Sequence, residues 1–281
     1  MREIQGQSIT RTVSRLFQDA CLYLPDDVAT AIRKARASEE SPVAAETLGS
    51  ILENANLAVR ENIPLCQDTG VAVVFLELGQ EVHITGGDLY AAVNEGVRRG
   101  YGEGYLRKSM AARPYTARVN TADNTPAVIH VDIVHGDRLK IIAMPKGGGA
   151  ENMTRLHMLT PAAGRQGIIE AVVKTVDEAG SNPCPPVIVG IGIGGSAEKA
   201  LQLAKVALLR EVGQPNKDPE TADLEAEILR RVNNLGIGAM GYGGRTTALA
   251  VHAEVFPAHI ASLPVAVNLQ CHSARHREAI L

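Results

Sequence analysis

The sequence predicts an α+β protein, in which a helical N-terminal block precedes a mixed or antiparallel β-sheet surrounded by helices. Two observations carry this prediction. Apolar residues recur at helical spacing over residues 8–60, and short apolar runs bounded by glycine or proline follow from residue 71. Because we find no internal repeat and no long linker, we predict a single domain over residues 1–281, with residues 1–60 as a helical subregion.

The composition limits the classes of protein to which this chain can belong. A chain of 281 residues can bury a sizeable core. The net charge of -3 and the aromatic content of 3% argue against a nucleic-acid or anionic-membrane surface. The polar N-terminus lacks the apolar core of a signal peptide, and no apolar run is long enough to span a bilayer, which predicts a cytoplasmic protein. Four cysteines do not make a disulfide framework, so free thiols or metal ligands are expected.

Three helices are predicted in the N-terminal block. The first carries an apolar stripe at four-residue spacing that ends at Cys21, which assigns this cysteine to the core. Pro25, followed by two aspartates, opens the second helix, and Ser41-Pro42 opens the third with an N-cap residue and a proline at the first helical position.

The loop 61–70 follows this block and leads into an apolar strand. Pro64 fixes one backbone angle, and Gly70 permits a conformation that other residues rarely adopt. Together they predict a loop of defined conformation directly before the strand. Between them stand a thiol, an amide and a carboxylate, on Cys66, Gln67 and Asp68. Such loop residues often belong to a functional site. The alternative is that Cys66 is an inert, buried small side chain.

The next segment is predicted to contain two strand pairs and a helix. We expect strand 71–78 to pair with residues 81–85, a helix over 88–98, and a hairpin of strands 127–135 and 138–145. Residues 101–109 contain too many glycines for an ordinary helix. Arg107 in this segment either binds a substrate carboxylate or belongs to a solvated basic surface.

Glycine clusters mark further candidate loops. Lys146 precedes three glycines that include Gly148 and Gly149, which would allow backbone N–H groups to face an anion, or would simply give a flexible strand exit. The spacing G-x-G-x-x-G over residues 190–195 offers dinucleotide binding as an alternative. A dinucleotide site would need an acidic residue at the end of a second strand about twenty residues further on, but the sequence there predicts a helix.

The elements predicted from residue 160 onwards are helix 161–179, a strand from 187, helices from 197 and 221, and strands 248–255 and 263–269.

Cys184 lies between prolines, and Cys271 follows the last predicted strand. If these two residues converge with Cys66, three thiolates suit zinc or an iron–sulfur cluster and leave one coordination position open for a Lewis acid. Asp68 and His259 could share acid–base work, while an arginine and backbone amides hold carboxylates. This inventory is typical of reversible hydration of a small dicarboxylate.

Seven motifs in this order resemble the α subunit of class I fumarate hydratases and L-tartrate dehydratases. They are PLCQDTG (64–70), LRKS (106–109), PKGGGAEN (145–152), PCPP (183–186), GIGGSAEKA (192–200), GYGGRTTALAVH (241–252) and HIASLPVAVNLQCHSAR (259–275). The resemblance implies the fold of that subunit and hydration of fumarate to L-malate. Ala150 and Ser196 replace the serine and threonine frequent in the family, and neither change removes a ligand.

The same resemblance implies a [4Fe-4S] cluster with three cysteine ligands and a substrate site beside it. The implied ligands are Cys66, Cys184 and Cys271; the implied substrate-binding residues are Gln67, Arg107, Gly148 and Gly149; the implied catalytic residues are Asp68 and His259. Because the sequence stops at Leu281, before the second domain of single-chain relatives, we expect a separate β subunit in an α2β2-type or other hetero-oligomer. Alternatives are an L-tartrate dehydratase or mesaconate hydratase α subunit and, more remotely, a metal-free scaffold or binding subunit.

Overall fold

A computed structural model describes residues 2–281 of the chain. Its helices are α1 (Gly6–Leu22), α2 (Asp26–Ser38), α3 (Pro42–Glu61), α4 (Leu89–Glu103), α5 (Gly148–Glu151), α6 (Gly164–Ala179), α7 (Ala197–Ala207) and α8 (Pro219–Asn233). Its strands are β1 (Arg2–Gln5), β2 (Val71–Gly79), β3 (Val82–Thr85), β4 (Ala111–Ala112), β5 (Val119–Asn120), β6 (Val128–Val134), β7 (Leu139–Lys146), β8 (Arg155–Leu159), β9 (Val187–Gly194), β10 (Ala248–Phe256), β11 (Leu263–Gln270) and β12 (Arg277–Ile280). The α+β prediction is confirmed.

The chain divides into two compact units. Unit 1 contains residues 2–24, 55–148 and 275–281, and unit 2 contains residues 25–54 and 149–274. Each has its own hydrophobic core and its own four-stranded sheet. The assignment of residues 1–281 to a single domain stays a prediction.

Unit 1 is built on the sheet β12-β7-β2-β6, with α1 and α4 packed together against it. The predicted stripe of α1 is buried, since Ile9, Val13, Phe17 and Cys21 are each at most 1% exposed. These side chains join alternate residues of β2 and β7 in one core. Helix α4 runs on through Tyr101 to Glu103, past the predicted end at residue 98, because the Tyr101 ring packs on Phe17 in that core.

Both strand pairings predicted for unit 1 are wrong, although the strands themselves exist. Strand β2 lies between β6 and β7, parallel to β6 and antiparallel to β7, so β6 and β7 do not form a hairpin. With both edges of β2 occupied, β3 pairs in parallel with β1. The turn after β2 instead bonds to the β6–β7 connection, where Gln80 N–H donates to the Val134 carbonyl at 2.9 Å.

Unit 2 is built on the sheet β10-β9-β11-β8, in which β9 is parallel to β10 and antiparallel to β11. One face packs on α6 and α8, whose apolar side chains join those of β9, β10 and β11 in one core. Helix α7 packs against β9, β10 and β11. The elements predicted from residue 160 onwards are present, although Pro161–Ala163 form a 3-10 turn before α6. Helix α8 begins at Pro219 and not at residue 221, because Asp218 caps it by accepting the Thr221 N–H at 2.9 Å.

Within residues 2–281, no helix combines the length and the apolar character needed to cross a membrane.

Candidate active site

The Cys66–Gly70 loop of unit 1 is fixed by buried hydrogen bonds. Leu65 N–H donates to the Cys21 carbonyl at 2.9 Å, and the Tyr101 hydroxyl donates to the Thr69 carbonyl at 2.8 Å. Gly70 has φ +77°, and a Cβ there would lie 2.6 Å from the Lys146 backbone, so no larger residue fits. The loop therefore holds the half-buried Cys66 and the exposed Gln67 in one defined conformation.

Asp68 shapes this loop through both of its carboxylate oxygens. Oδ1 accepts the Gly70 N–H at 3.0 Å, and Oδ2 accepts the Gly148 N–H at 2.7 Å. The second bond ties the cysteine loop to the start of the glycine cluster that follows β7. Two of the residues predicted for the site, Asp68 and Gly148, are thus in direct contact, while the catalytic role of Asp68 stays a prediction.

Arg275 is a buried cation that our sequence reasoning passed over. Its side chain is 1% exposed, and a guanidinium N–H donates to the Asp68 carbonyl. Buried arginines need such partners, because an uncompensated charge is costly away from water. Arg275 also lowers the pKa of the Cys21 thiol, but burial dominates and raises that pKa to about 12. The signal in the sequence was its place four residues after Cys271, in the motif that ends at 275.

Arg107 is exposed and its backbone is joined to the cysteine loop. The Thr69 hydroxyl donates to the Arg107 carbonyl at 3.0 Å. This bond brings the segment predicted to bind a carboxylate beside Gln67 and Asp68, so unit 1 gathers Cys66, Gln67, Asp68, Arg107 and Gly148.

In unit 2, Cys184 and Cys271 lie at one edge of the sheet. Cys184 precedes β9 and Cys271 follows β11, which is antiparallel to β9 with Gln270 opposite Ile188. His272 N–H donates to the Cys184 carbonyl at 3.4 Å, and the His272 Nδ1 lies 2.9 Å from the same oxygen. The glycine-rich segment before β10 reaches this edge too, since Met240 N–H donates to the Pro185 carbonyl at 2.7 Å.

Gln270, directly before Cys271, is a second residue that the sequence did not single out. Its side chain is 2% exposed, and within residues 2–281 neither its Nε2 nor its Oε1 has a hydrogen-bond partner. A buried amide left unpaired costs about 1–3 kcal/mol, and such a group in a native protein calls for an explanation, for example an ion or ligand.

His259 lies apart from the cysteine edge. It is exposed in the turn before β11, where its Nδ1 accepts the Ala261 N–H at 3.1 Å. The eight residues of β11 separate this turn from Cys271 by about 26 Å. His259 therefore cannot act at the Cys271 end of its own chain, and its predicted catalytic role stays a prediction.

The other glycine positions have packing roles. A Cβ on Gly149 would lie 2.9 Å from the Asn182 carbonyl oxygen, which brings this residue close to the Cys184 loop. In β9, a Cβ on Gly192 would overlap the Ala200 carbonyl, and one on Gly190 would overlap that of Ala204. These two glycines let α7 lie close to the sheet, which accounts for them without a dinucleotide.

The thiols divide into two kinds by environment. Cys21 is buried in the core and its pKa is raised to about 12 by that burial, so it stays an inert thiol. Cys66, Cys184 and Cys271 form no disulfide and are half-buried in loops. Within residues 2–281, no three His, Cys, Asp or Glu side chains are grouped closely enough to hold a metal ion. Cysteine thiolates are soft donors of the kind that bind zinc or iron–sulfur clusters, and the unpaired amide of Gln270 stands directly before Cys271.

Comparison with known proteins defines the class. The family described as "Fumarate hydratase (Fumerase)" matches residues 10–280. The chain therefore belongs to the fumarate hydratase family, whose members are hydro-lyases, and the predicted family and enzyme class are confirmed.

Particular relatives carry a more specific name. The chain is 44% identical over 272 residues, 95% of each protein, to a protein of Methanocaldococcus jannaschii named "Putative L(+)-tartrate dehydratase subunit alpha". It is 31% identical over 271 residues to the L(+)-tartrate dehydratase subunit alpha of Escherichia coli K12 and to that of Shigella sonnei, covering 95% of this chain and 88% of each relative.

Proposed function

We propose that this chain is the α subunit of an iron–sulfur hydro-lyase that acts on a small dicarboxylate together with a β subunit. The observation that carries the proposal is the family match over residues 10–280, combined with three half-buried loop thiols. The names of the relatives, each a subunit alpha, support a separate β subunit.

The substrate is one of a few related acids. Family membership favours fumarate, whose hydration gives L-malate, whereas the relatives are named for L(+)-tartrate. Mesaconate is a third candidate. We place L(+)-tartrate and fumarate first, and competition assays with the αβ enzyme, each acid against the others, decide between them.

Cys66, Cys184 and Cys271 would hold a [4Fe-4S] cluster. When bound, this group supplies an open iron that acts as a Lewis acid toward the substrate hydroxyl and carboxylate. Cys21 takes no part, because its thiol is buried in the core of unit 1.

The remaining site residues bind and orient the substrate. The exposed Arg107 guanidinium suits a bidentate pair with one carboxylate, and the exposed Gln67 amide offers a donor and an acceptor beside it. Gly148 and Gly149 let the backbone approach the acid closely. Asp68 holds the two loops together through Gly70 and Gly148, and its catalytic role depends on whether it also exchanges a proton with the substrate.

His259 would serve the site of a second α subunit, because β11 separates it from Cys271 of its own chain. An α2β2 assembly provides that second copy. Mixing inactive His259→Asn and Cys271→Ala α subunits with the β subunit tests this arrangement. Recovered activity in the mixture supports it, and a mixture as inactive as either variant contradicts it.

Iron and sulfide content of protein purified without oxygen tests the cofactor. We expect about three to four irons per chain, as a cubane cluster requires. Single alanine variants of Cys66, Cys184 and Cys271 should lose the iron, while Cys21→Ala keeps it. Absence of iron in the wild-type chain, or iron that survives all three variants, would remove the basis of the proposal.

A further inference from the structure

Asn124 is a buried polar residue that no part of the site described so far uses. Its side chain is 0% exposed, and both ends of its amide are hydrogen-bonded. The Oδ1 accepts the Ser109 N–H at 2.7 Å, and the Nδ2 donates to the Gly70 carbonyl at 3.2 Å. The residue therefore bridges the end of the Cys66–Gly70 loop to a backbone group two residues after Arg107.

This bridge is the second connection between the same two segments. The first joins the Thr69 hydroxyl to the Arg107 carbonyl at 3.0 Å. Together the two bonds hold the backbone from the Arg107 carbonyl to the Ser109 N–H relative to the loop that carries Cys66, Gln67 and Asp68. All of these residues lie in unit 1.

The backbone conformation of Asn124 indicates that the surrounding structure holds this residue in one position. Its φ is +63°, in the left-handed region where asparagine is among the few side chains tolerated. Residues in such conformations persist where the surrounding structure holds them, and they cluster at functional sites. The amide thus meets two partners that are 39 residues apart in the chain, Gly70 and Ser109, at a modest cost in backbone strain.

We propose that Asn124 is a positioning residue that sets the distance between Arg107 and the Cys66–Asp68 loop, and thereby the affinity for the dicarboxylate. The inference rests on the proposed function for the role of Arg107, but the mechanical coupling stands on the contacts alone. Asn124 does not touch the substrate, and its effect passes through the Ser109 and Gly70 backbones.

The test variant is Asn124→Gly, which accepts φ +63° without strain and removes both bonds. In the αβ holoenzyme we expect KM for the dicarboxylate to rise about tenfold, the equivalent of ~1.4 kcal/mol, with iron content unchanged. The change in kcat should be smaller, because a misplaced Arg107 weakens binding of substrate and transition state alike.

Two further variants separate positioning from general stability. Asn120→Ala is the matched control, since Asn120 is an exposed amide that bonds the Lys108 carbonyl and the Ala122 N–H without reaching the cysteine loop. It should leave KM unchanged. Tyr101→Phe removes the hydroxyl that bonds the Thr69 carbonyl at 2.8 Å and the Gly70 carbonyl at 3.1 Å, and it leaves the link from Asn124 to Ser109 in place. It should lower thermal stability more than it changes KM.

Hydrogen exchange of the α chain alone gives a readout that does not depend on the cofactor or the reaction. Asn124→Gly should speed exchange of the Ser109 amide and of the amides of residues 66–70, and Asn120→Ala should not change the latter. Unchanged exchange at both segments overturns the coupling. If the wild-type enzyme binds iron and converts the dicarboxylate but Asn124→Gly leaves KM unchanged, the positioning role is wrong. If the wild-type enzyme holds no iron, the proposed function is contradicted instead.

Discussion

At the scale of the residue, a few polar side chains define the positions of the loops in unit 1. Asp68, Asn124 and Arg275 each use side-chain atoms to bond the backbone of a distant segment of unit 1. Because backbone groups are obligatory hydrogen-bonding partners, such contacts define loop positions closely. Gln270 is the exception, a buried amide without a partner in residues 2–281.

Replacing Gln270 with methionine should have opposite effects on the chain without iron and on the chain with iron bound. Methionine has similar length and no polar group to desolvate, so we expect the apo chain to unfold at the same or a higher temperature. If Gln270 bonds a group held beside Cys271, the same variant should lose iron faster in air and give an altered EPR spectrum, since hydrogen bonds to the sulfurs tune such clusters.

Asn268 is the control, because its Nδ2 donates to Glu151 at 3.0 Å and to Thr154 at 2.8 Å. Asn268→Leu should lower the unfolding temperature with and without iron. An apo Gln270→Met chain that is as destabilised as Asn268→Leu would mean that the Gln270 amide is already satisfied.

At the scale of the element, the approach of α7 to β9 depends on glycine. A Cβ at position 192 would overlap the Ala200 carbonyl and stand 2.7 Å from the Ala204 nitrogen. We therefore expect Gly192→Ala to lower the free energy of unfolding by about 1–3 kcal/mol or more, as overpacking does, measured by urea denaturation.

Gly102→Ala is the matched control in an exposed part of α4, where the described residues place no atom within 4 Å of the added Cβ. Alanine is the better helix former, so this variant should gain up to about 1 kcal/mol. Equal stability of the two variants would show that α7 can move away from the sheet without cost.

Strand β10 should give the fold an acid-sensitive element through His252. This side chain is 2% exposed, and its pKa is lowered to about 4, first by burial and then by Arg210, while Glu225 and the Ala207 carbonyl act in the opposite direction. The unfolded imidazole, with a pKa near 6.5, binds more protons than the folded one between pH 6.5 and 4. The free energy of unfolding therefore falls as pH falls through this range, and the contribution of His252 is lost fully below about pH 4.

Between pH 7.5 and 5 this linkage amounts to roughly 2 kcal/mol. Urea denaturation at the two pH values measures it, and His252→Gln should reduce the difference. A pH dependence that is the same in the variant and in the wild type would assign the acid sensitivity to other groups.

At the scale of the whole molecule, we expect the proposed β subunit to be needed for full activity. We expect the purified α chain, with its iron intact, to hydrate fumarate or dehydrate L(+)-tartrate at a small fraction of the rate reached once the β subunit is added. The relatives named as α subunits motivate this expectation. Full activity of the α chain alone would contradict it. The absorbance of fumarate measures the first rate, and the amount of keto acid formed after water is lost from L(+)-tartrate measures the second.

The sequence by itself determined the local structure and the family. Helix α1 buries its predicted stripe, and α2 and α3 begin directly after Pro25 and at Pro42 as predicted, because apolar spacing and proline act over a few positions. The motifs around Cys66, Cys184 and Cys271 identified the family for the same reason, since each is a short run of adjacent residues.

Only the tertiary structure decided which strands pair and which polar groups meet. Nothing local to residues 127–145 indicates that β2 inserts between β6 and β7, because pairing depends on which strand edges are free. The bonds of Arg275 to Asp68 and of Asn124 to Gly70 join residues 207 and 54 positions apart. Closing such long loops costs little more than closing shorter ones, so sequence separation does not reveal these partners, and the packing of the core selects them.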